Sequence, residues 1–312
     1  MNELDVIQRI SQRLPGAPPE VIVGVGDDCA VLRLGDRDWV AAADMLVSGH
    51  HFEDSWATPE DVGYKAVAVN VSDVAAMGGT PRFILVSGGA DNSETTLRCM
   101  EGVMRACVEF GVYPLGGDTT RAAALTVDVA ILGELTAPPV LRSGASPGDI
   151  LAVTGELGAS AAGLLALQGG AREPERLVRK HLRPEPRVAA GKVAARLRVG
   201  AMLDLSDGLA MDVGRICEAS GVGCRIELEK LPIAGDTREA AASFNRDAEE
   251  LAATGGEDYE LLICAPEEVI TALRESLDLP LTVIGEMTEG GGPVFLRNGE
   301  PVEGLSGWDH FS

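Results

Sequence analysis

The segment TPEDVGYKAVAVNVSDVAAMGGTP, Thr58 to Pro81, opens and closes as a helix should. Thr58 is a capping residue, Pro59 suits the first helical position, and Glu60 and Asp61 complement the dipole. The Ala-rich run that follows stops at Gly78-Gly79-Thr80-Pro81. Around it lie short apolar runs bounded by Gly, Asp or Pro, which read as strands: Val21–Val25, Trp39–Ala43, Phe83–Ser87 and Leu125–Leu132. A second helix is predicted from Ser93 to Phe110, with Gly111 as its stop. Strand and helix patterns alternate, so the class is mixed α and β.

At 312 residues the chain has room for about two domains of ~150 residues. The Pro/Gly/Ser-rich stretch from Thr136 to Asp149 breaks both periodicities and is the natural linker. We place the boundary near residue 140, giving domains 1–140 and 141–312. Beyond it, Ile150–Thr154, Met202–Leu205, Arg225–Leu228 and Leu261–Cys264 read as strands. Ser160–Leu167 reads as a Gly/Ala-packed helix, and Arg183–Pro186 as a loop between helices. Val69–Met77 weakly echoes Leu203–Met211, by chance or because two halves face each other across one site.

Asp and Glu outnumber Lys and Arg 48 to 26, for a net charge of −22. Such a surface repels nucleic acid and anionic membranes, and 4% aromatic residues leave little for base stacking. The six cysteines show no zinc-ligand spacing and read as small buried residues in a reducing compartment. The acidic N-terminus lacks the order of a signal peptide, and the longest uncharged stretch, Leu157–Ala171, is too short to span a bilayer. The expected location is the cytoplasm.

The acids themselves form the informative pattern. Asp27-Asp28 follow VIVGVG, Asp44 follows WVAAA, Asp73 follows VNVS, and Asp118 follows Gly116-Gly117. Asp204 and Asp207 flank Leu205-Ser206. Acids at element ends beside small residues are expected to converge on a cleft. Taken singly, each also reads as a cap or a turn. Hard oxygens in number point to Mg²⁺ or Mn²⁺ rather than zinc. None of the four lysines follows a Gly-rich phosphate cradle, so any nucleotide would be held through metal. Arg142 is either a linker arginine or a fork for phosphate oxygens. His51 is either a turn residue or a donor to phosphate. Trp308 is either a packing plug or a platform for a cationic ring.

Nine motifs then occur in order: GVGDDCAVL (24–32), DMLVSGHHF (44–52), YKAVAVNVSDVAAMGGTP (64–81), GGDTTR (116–121), LRSGASPGD (141–149), KHLRPEPRV (180–188), DLSDGL (204–209), GGEDYELL (255–262) and GWDHF (307–311). Together they resemble the thiamine-monophosphate kinase family. The resemblance implies ATP-dependent conversion of thiamine phosphate to thiamine diphosphate, with several Mg²⁺ ions. It also implies a two-domain aminoimidazole-ribonucleotide synthetase-like fold: an α/β N-terminal domain that pairs across a homodimer, and an α+β C-terminal domain alongside. The cleft would lie at the dimer interface. Matched by position, Asp28, Asp44, Asp73, Asp118, Asp204 and Asp207 correspond to magnesium ligands, and Gly117, Arg142 and Ser206 to ATP contacts. His51, Glu257 and Trp308 correspond to contacts with thiamine phosphate. Ala42 and Ala43 stand where the family commonly has Ser-Thr, and Phe110 or Tyr113 where a tyrosine often approaches adenine. The acceptor phosphate is already ionised, so no general base is needed. Two other readings are another ATP-dependent synthetase of this fold, and a non-catalytic acidic protein that binds divalent cations.

Overall fold

The computed structural model describes residues 3–307. Its first part runs through α1 (Glu3–Ser11), β1 (Val21–Val23), β2 (Ala30–Leu34), β3 (Arg37–Val47), α2 (Pro59–Ala76), β4 (Thr80–Ala90), α3 (Ser93–Phe110), β5 (Tyr113–Arg121) and β6 (Thr126–Glu134). After an irregular segment come β7 (Ile150–Thr154), α4 (Ala159–Gln168), α5 (Glu175–Leu182), α6 (Val188–Leu197), β8 (Ala201–Asp204), α7 (Leu209–Ser220) and β9 (Gly223–Glu227). The chain continues through α8 (Gly235–Ser243), α9 (Ala248–Thr254), β10 (Leu261–Ala265), α10 (Glu267–Ser276), β11 (Leu281–Thr288), β12 (Pro293–Arg297) and β13 (Glu300–Val302).

Helix α2 organises both halves. Thr58 caps it by accepting the Asp61 N–H at 3.2 Å, and Pro59 opens its first turn. Fifteen of its eighteen residues are buried. A helix buried on every side needs packing partners on every side. Sheet strands β3 and β6 cover one side, α3 another, and α6 and β8 the rest. Small residues make this possible. A Cβ on Gly63 would strike the Cys99 carbonyl, one on Gly102 the Glu60 carbonyl, and one on Gly191 the Ala75 carbonyl. The turn after α2 needs glycine too, since Gly78 sits at φ 75°.

The first sheet has the order β1-β2-β3-β6-β4-β5, antiparallel except for the β4–β5 pair that α3 connects. Val127, Val129 and Ile131 of β6, with Ile84 and Val86 of β4, form its buried face. The second sheet has the order β13-β12-β9-β11-β7-β10-β8, with only the β12–β9 pair parallel. Its edge strand β8 lies against α2, which brings the end of β8 to the middle of that helix. The fold class is the mixed α and β arrangement expected, and both predicted first-half helices stand where capping placed them.

The expectation that the acids sit at element ends fails for three of them. Asp44 lies within β3, Asp73 within α2 and Asp118 within β5. The GGD motif forms a strand rather than a turn because Gly117, at φ 153°, lets β5 approach β4 where any Cβ would meet the Val86 carbonyl. Gly102→Ala tests the α2–α3 contact. The added methyl should cost about 1–3 kcal/mol in urea unfolding by overpacking, and stability equal to the unaltered chain would contradict the close approach.

Candidate active site

Three carboxylates meet where the two sheets and α2 come together. One oxygen from each of Asp28, Asp73 and Asp204 lies within 4.8 Å of the others. Asp28 arrives on the turn before β2, Asp73 on α2 and Asp204 at the end of β8. Helix α2 fixes their neighbours as well. The Ser72 hydroxyl donates to Asp204 across the gap between the halves. Asn70 accepts the Asp44 backbone N–H at 3.2 Å and donates to Ala66 O at 2.9 Å, which ties β3 to the helix at the acid itself. The two echoing segments thus face each other through Ser72 and Asp204, although one is helix throughout and the other runs from the end of β8 through a turn into α7.

This closeness is electrostatically costly. Burial, then repulsion from Asp44 and Asp204, pushes the Asp73 carboxyl well above its ordinary range. Burial and Asp28 push Asp204 up to about 7. Burial pushes Asp28 up, against the opposing effect of Arg142. The Arg142 guanidinium holds Asp28 Oδ1 at 2.5 Å, while its backbone N–H donates to Asp27 Oδ2 at 3.1 Å. Asp28 Oδ2 is buried with no hydrogen-bond partner among the described residues. Two unit charges about 4 Å apart repel by ~4 kcal/mol at an effective dielectric near 20. A set of hard oxygens this close, one of them orphaned, fits a divalent cation.

The acids line one end of a cavity of about 730 Å³. Asp44, Asp207, Arg142, Ser206, His51 and Glu257 line it too, as do Ala42 and Ala43. Asp207 is paired with Arg215, which also holds the buried Asp212 at 3.0 Å. Asp212 in turn accepts the Asp207 and Gly208 N–H groups and so shapes the DLSDG turn. His51 accepts the Val47 N–H on Nδ1 at 3.1 Å. Glu257, at φ 64°, meets Lys65 Nζ at 2.7 Å and His181 Nδ1 at 3.2 Å. Lys65, and then His181, hold its carboxyl below the usual range against burial.

Asp118 and Gly117 do not join this set. Asp118 pairs in register with Ser87, Asp128 and Met45 across the outward face, whereas Asp44 shares the inward face with Val129. Three strand steps separate β5 from β3, about 14 Å at the usual spacing. Phe110 packs on Tyr64 with ring centroids 5.5 Å apart, and Tyr113 is exposed. Asp258, next to Glu257, turns away and accepts the Gly158 and Ser160 N–H groups at the start of α4. Trp308 lies outside the described residues. Sequence reasoning missed Trp56, His181 and Arg215 in the cavity wall, and Lys65 behind it as the partner of Glu257. Lys65 and His181 stood inside quoted motifs, but no periodicity marks a lysine or histidine as a buried partner.

Comparison with known proteins matches this arrangement to families. Residues 26–135 match the AIR synthase related protein N-terminal domain, and residues 146–297 the AIR synthase related protein C-terminal domain. The chain is 39% identical to a thiamine-monophosphate kinase of Escherichia coli (strain K12), over 99% of this chain and 98% of that protein. It is 38% identical to a thiamine-monophosphate kinase of Bacillus subtilis (strain 168), over 93% and 92%. Among solved structures it resembles "AaThiL complexed with AMPPCP and TMP", with a TM-score of 0.87 and 34% identity over 99% of this chain and 97% of that one.

Asp204 and Asp258 are each raised from 3.8 to about 7, Asp258 by burial against its two N–H donors. Between those values the folded chain keeps protons that the unfolded chain has released, so stability falls as pH rises through about 7. Urea unfolding in chelator should therefore give a higher midpoint at about pH 5.5 than at about pH 8. The reverse order would contradict the buried charge set.

Proposed function

The chain belongs to the thiamine-monophosphate kinase family, and on that premise we propose that it transfers the γ-phosphoryl group of ATP to thiamine monophosphate, giving thiamine diphosphate. The observation that carries this reading is the Asp28–Asp73–Asp204 cluster at the end of a cavity large enough for a ligand. Asp28, Asp73 and Asp204, with Asp44 and Asp207 beside them, would hold Mg²⁺. Bound there, magnesium would offset the charge of two phosphate groups and stabilise the charge that spreads during transfer.

The protein's own part is positioning. Arg142 offers a guanidinium fork already oriented by Asp28, and Ser206 lies on the turn between Asp204 and Asp207. The acceptor phosphate is ionised at neutral pH and attacks in line without a general base. His51 and Glu257, with Trp308, face the thiamine phosphate, while Gly117 contacts ATP. Transfer is direct, without a phosphorylated protein intermediate. An acidic cation buffer without catalysis would bind metal with no dependence on ATP.

The dimer belongs to this proposal, as does the division near residue 140. The outward face of the first sheet exposes Leu85 and also Met45, which lines the cavity, and Tyr113 and Leu115 of edge strand β5 are exposed beside it. Asp118 stands on that face too, three strands from β3, and does not line the cavity of its own chain. In a homodimer paired through this face, Asp118 and Gly117 of one copy would complete the site of the other.

Incubation with ATP, Mg²⁺ and thiamine monophosphate should yield thiamine diphosphate, and no product at any metal concentration would overturn the assignment. Asp44→Asn and Asp118→Asn should each abolish turnover without unfolding the chain. If Asp118 serves the other copy, an equal mixture of the two variants after subunit exchange should regain about a quarter of the unaltered activity. A mixture as inactive as its components would contradict that arrangement.

A further inference from the structure

His181 is a buried group that the mechanism above leaves unused. It lies in the last turn of α5 within KHLRPEPRV, is 2% exposed, and forms part of the cavity wall. Its Nδ1 is 3.2 Å from Glu257 Oε2 and 3.1 Å from Ser160 Oγ. Its Nε2 is buried without a hydrogen-bond partner among the described residues. The edge of its ring meets Trp56, with centroids 5.5 Å apart.

Ser160 Oγ can donate to Nδ1 or accept from it, so the carboxylate beside Nδ1 is what selects the tautomer. Lys65 Nζ, 2.7 Å from Glu257 Oε1, keeps that carboxylate ionised. An ionised carboxylate only accepts, and a bare Nδ1 lone pair 3.2 Å from it would be repelled, so the proton on that side of the ring is favoured. Nδ1 therefore carries the hydrogen, and the buried Nε2 is left with a bare lone pair. Burial, and then the nearby Lys65 charge, push the imidazole down to about 3, so the ring stays neutral at working pH. An acceptor buried in a wall without a partner is unfavourable until a donor reaches it.

Resting on the kinase reading above, we propose that His181 is a specificity-determining residue whose Nε2 accepts the exocyclic amine of the substrate's aminopyrimidine ring. Thiamine monophosphate carries its only N–H donor there; the thiazolium and the phosphate ester have none. The Lys65–Glu257 pair thus acts at a distance, by holding the imidazole in the accepting tautomer. A heterocycle with a carbonyl oxygen in place of that amine would set acceptor against acceptor and be rejected.

The experiment compares thiamine monophosphate with its 4-oxo analogue. The unaltered enzyme should prefer the amine by at least about 100-fold in kcat/KM, since a site built for a donor rejects its absence. His181→Leu should raise KM for thiamine monophosphate about 10- to 100-fold, as expected for loss of one buried hydrogen bond. It should leave KM for ATP unchanged and reduce the amine preference to a few fold. His181→Gln, which keeps an acceptor, should restore part of that preference. An unchanged preference in a folded His181→Leu enzyme would overturn the inference alone. Absence of product from the unaltered enzyme with the natural substrate would overturn the kinase reading as well.

Nitrogen NMR on unaltered protein with labelled histidine gives an answer even where a variant fails to fold. The chain has only four histidines. The His181 Nε2 resonance should be that of an unprotonated nitrogen and should shift when thiamine monophosphate is added. A resonance indifferent to saturating substrate, as a resident water on Nε2 would give, would overturn the assignment.

Discussion

Three carboxylates forced together where two sheets meet one helix are the constraint from which the rest follows. Like charges at this distance, out of bulk water, oppose folding unless something cationic or a proton lies among them. The chain supplies only part of the compensation. Arg142 reaches Asp28, the Ser72 hydroxyl reaches Asp204, and Asp73 is left with burial and like charge as the strongest influences upon it. A folded protein that keeps such a set gives up stability for a site which, on the proposed function, would draw in divalent cations and, through them, phosphate.

Helix α2 makes that arrangement rigid. It is buried nearly all round, so its side chains cannot turn away from their partners. Asn70 fastens β3 of the first sheet at Asp44, and two residues further on Ser72 fastens β8 of the second sheet at Asp204. Asp73 stands next to both anchors. Lys65, two turns earlier, pairs with Glu257, which in turn meets His181. One helix thus sets both the acidic cluster and the Lys65–Glu257–His181 group. A packing change at Gly63 or Gly102 should be felt at the site for the same reason.

Much of this was legible before any coordinates. Capping residues marked α2 and α3 because local hydrogen bonds and the dipole fix helix ends. Asp28, Asp73 and Asp204 stood out because acids beside small residues and after apolar runs are unusual on a solvated surface. The places of Asp44 and Asp118 inside strands were not legible. The glycines ahead of Asp118 suggested a turn, and only the approach of β5 to Val86 shows why glycine is needed in a strand. That Asp118 faces outward also depends on register, which pairing across 31 residues from Ser87 sets and no local pattern reveals. Lys65, His181 and Arg215 escaped because a buried ion pair is a property of three-dimensional neighbours.

Calorimetric titration of the purified protein with a non-hydrolysable ATP analogue, with and without exhaustive chelation, tests the central claim most directly. The account predicts tight binding with Mg²⁺ present and no measurable heat once divalent ions are removed, because the acids would then face the phosphates uncompensated. Equal affinity in chelator would contradict it.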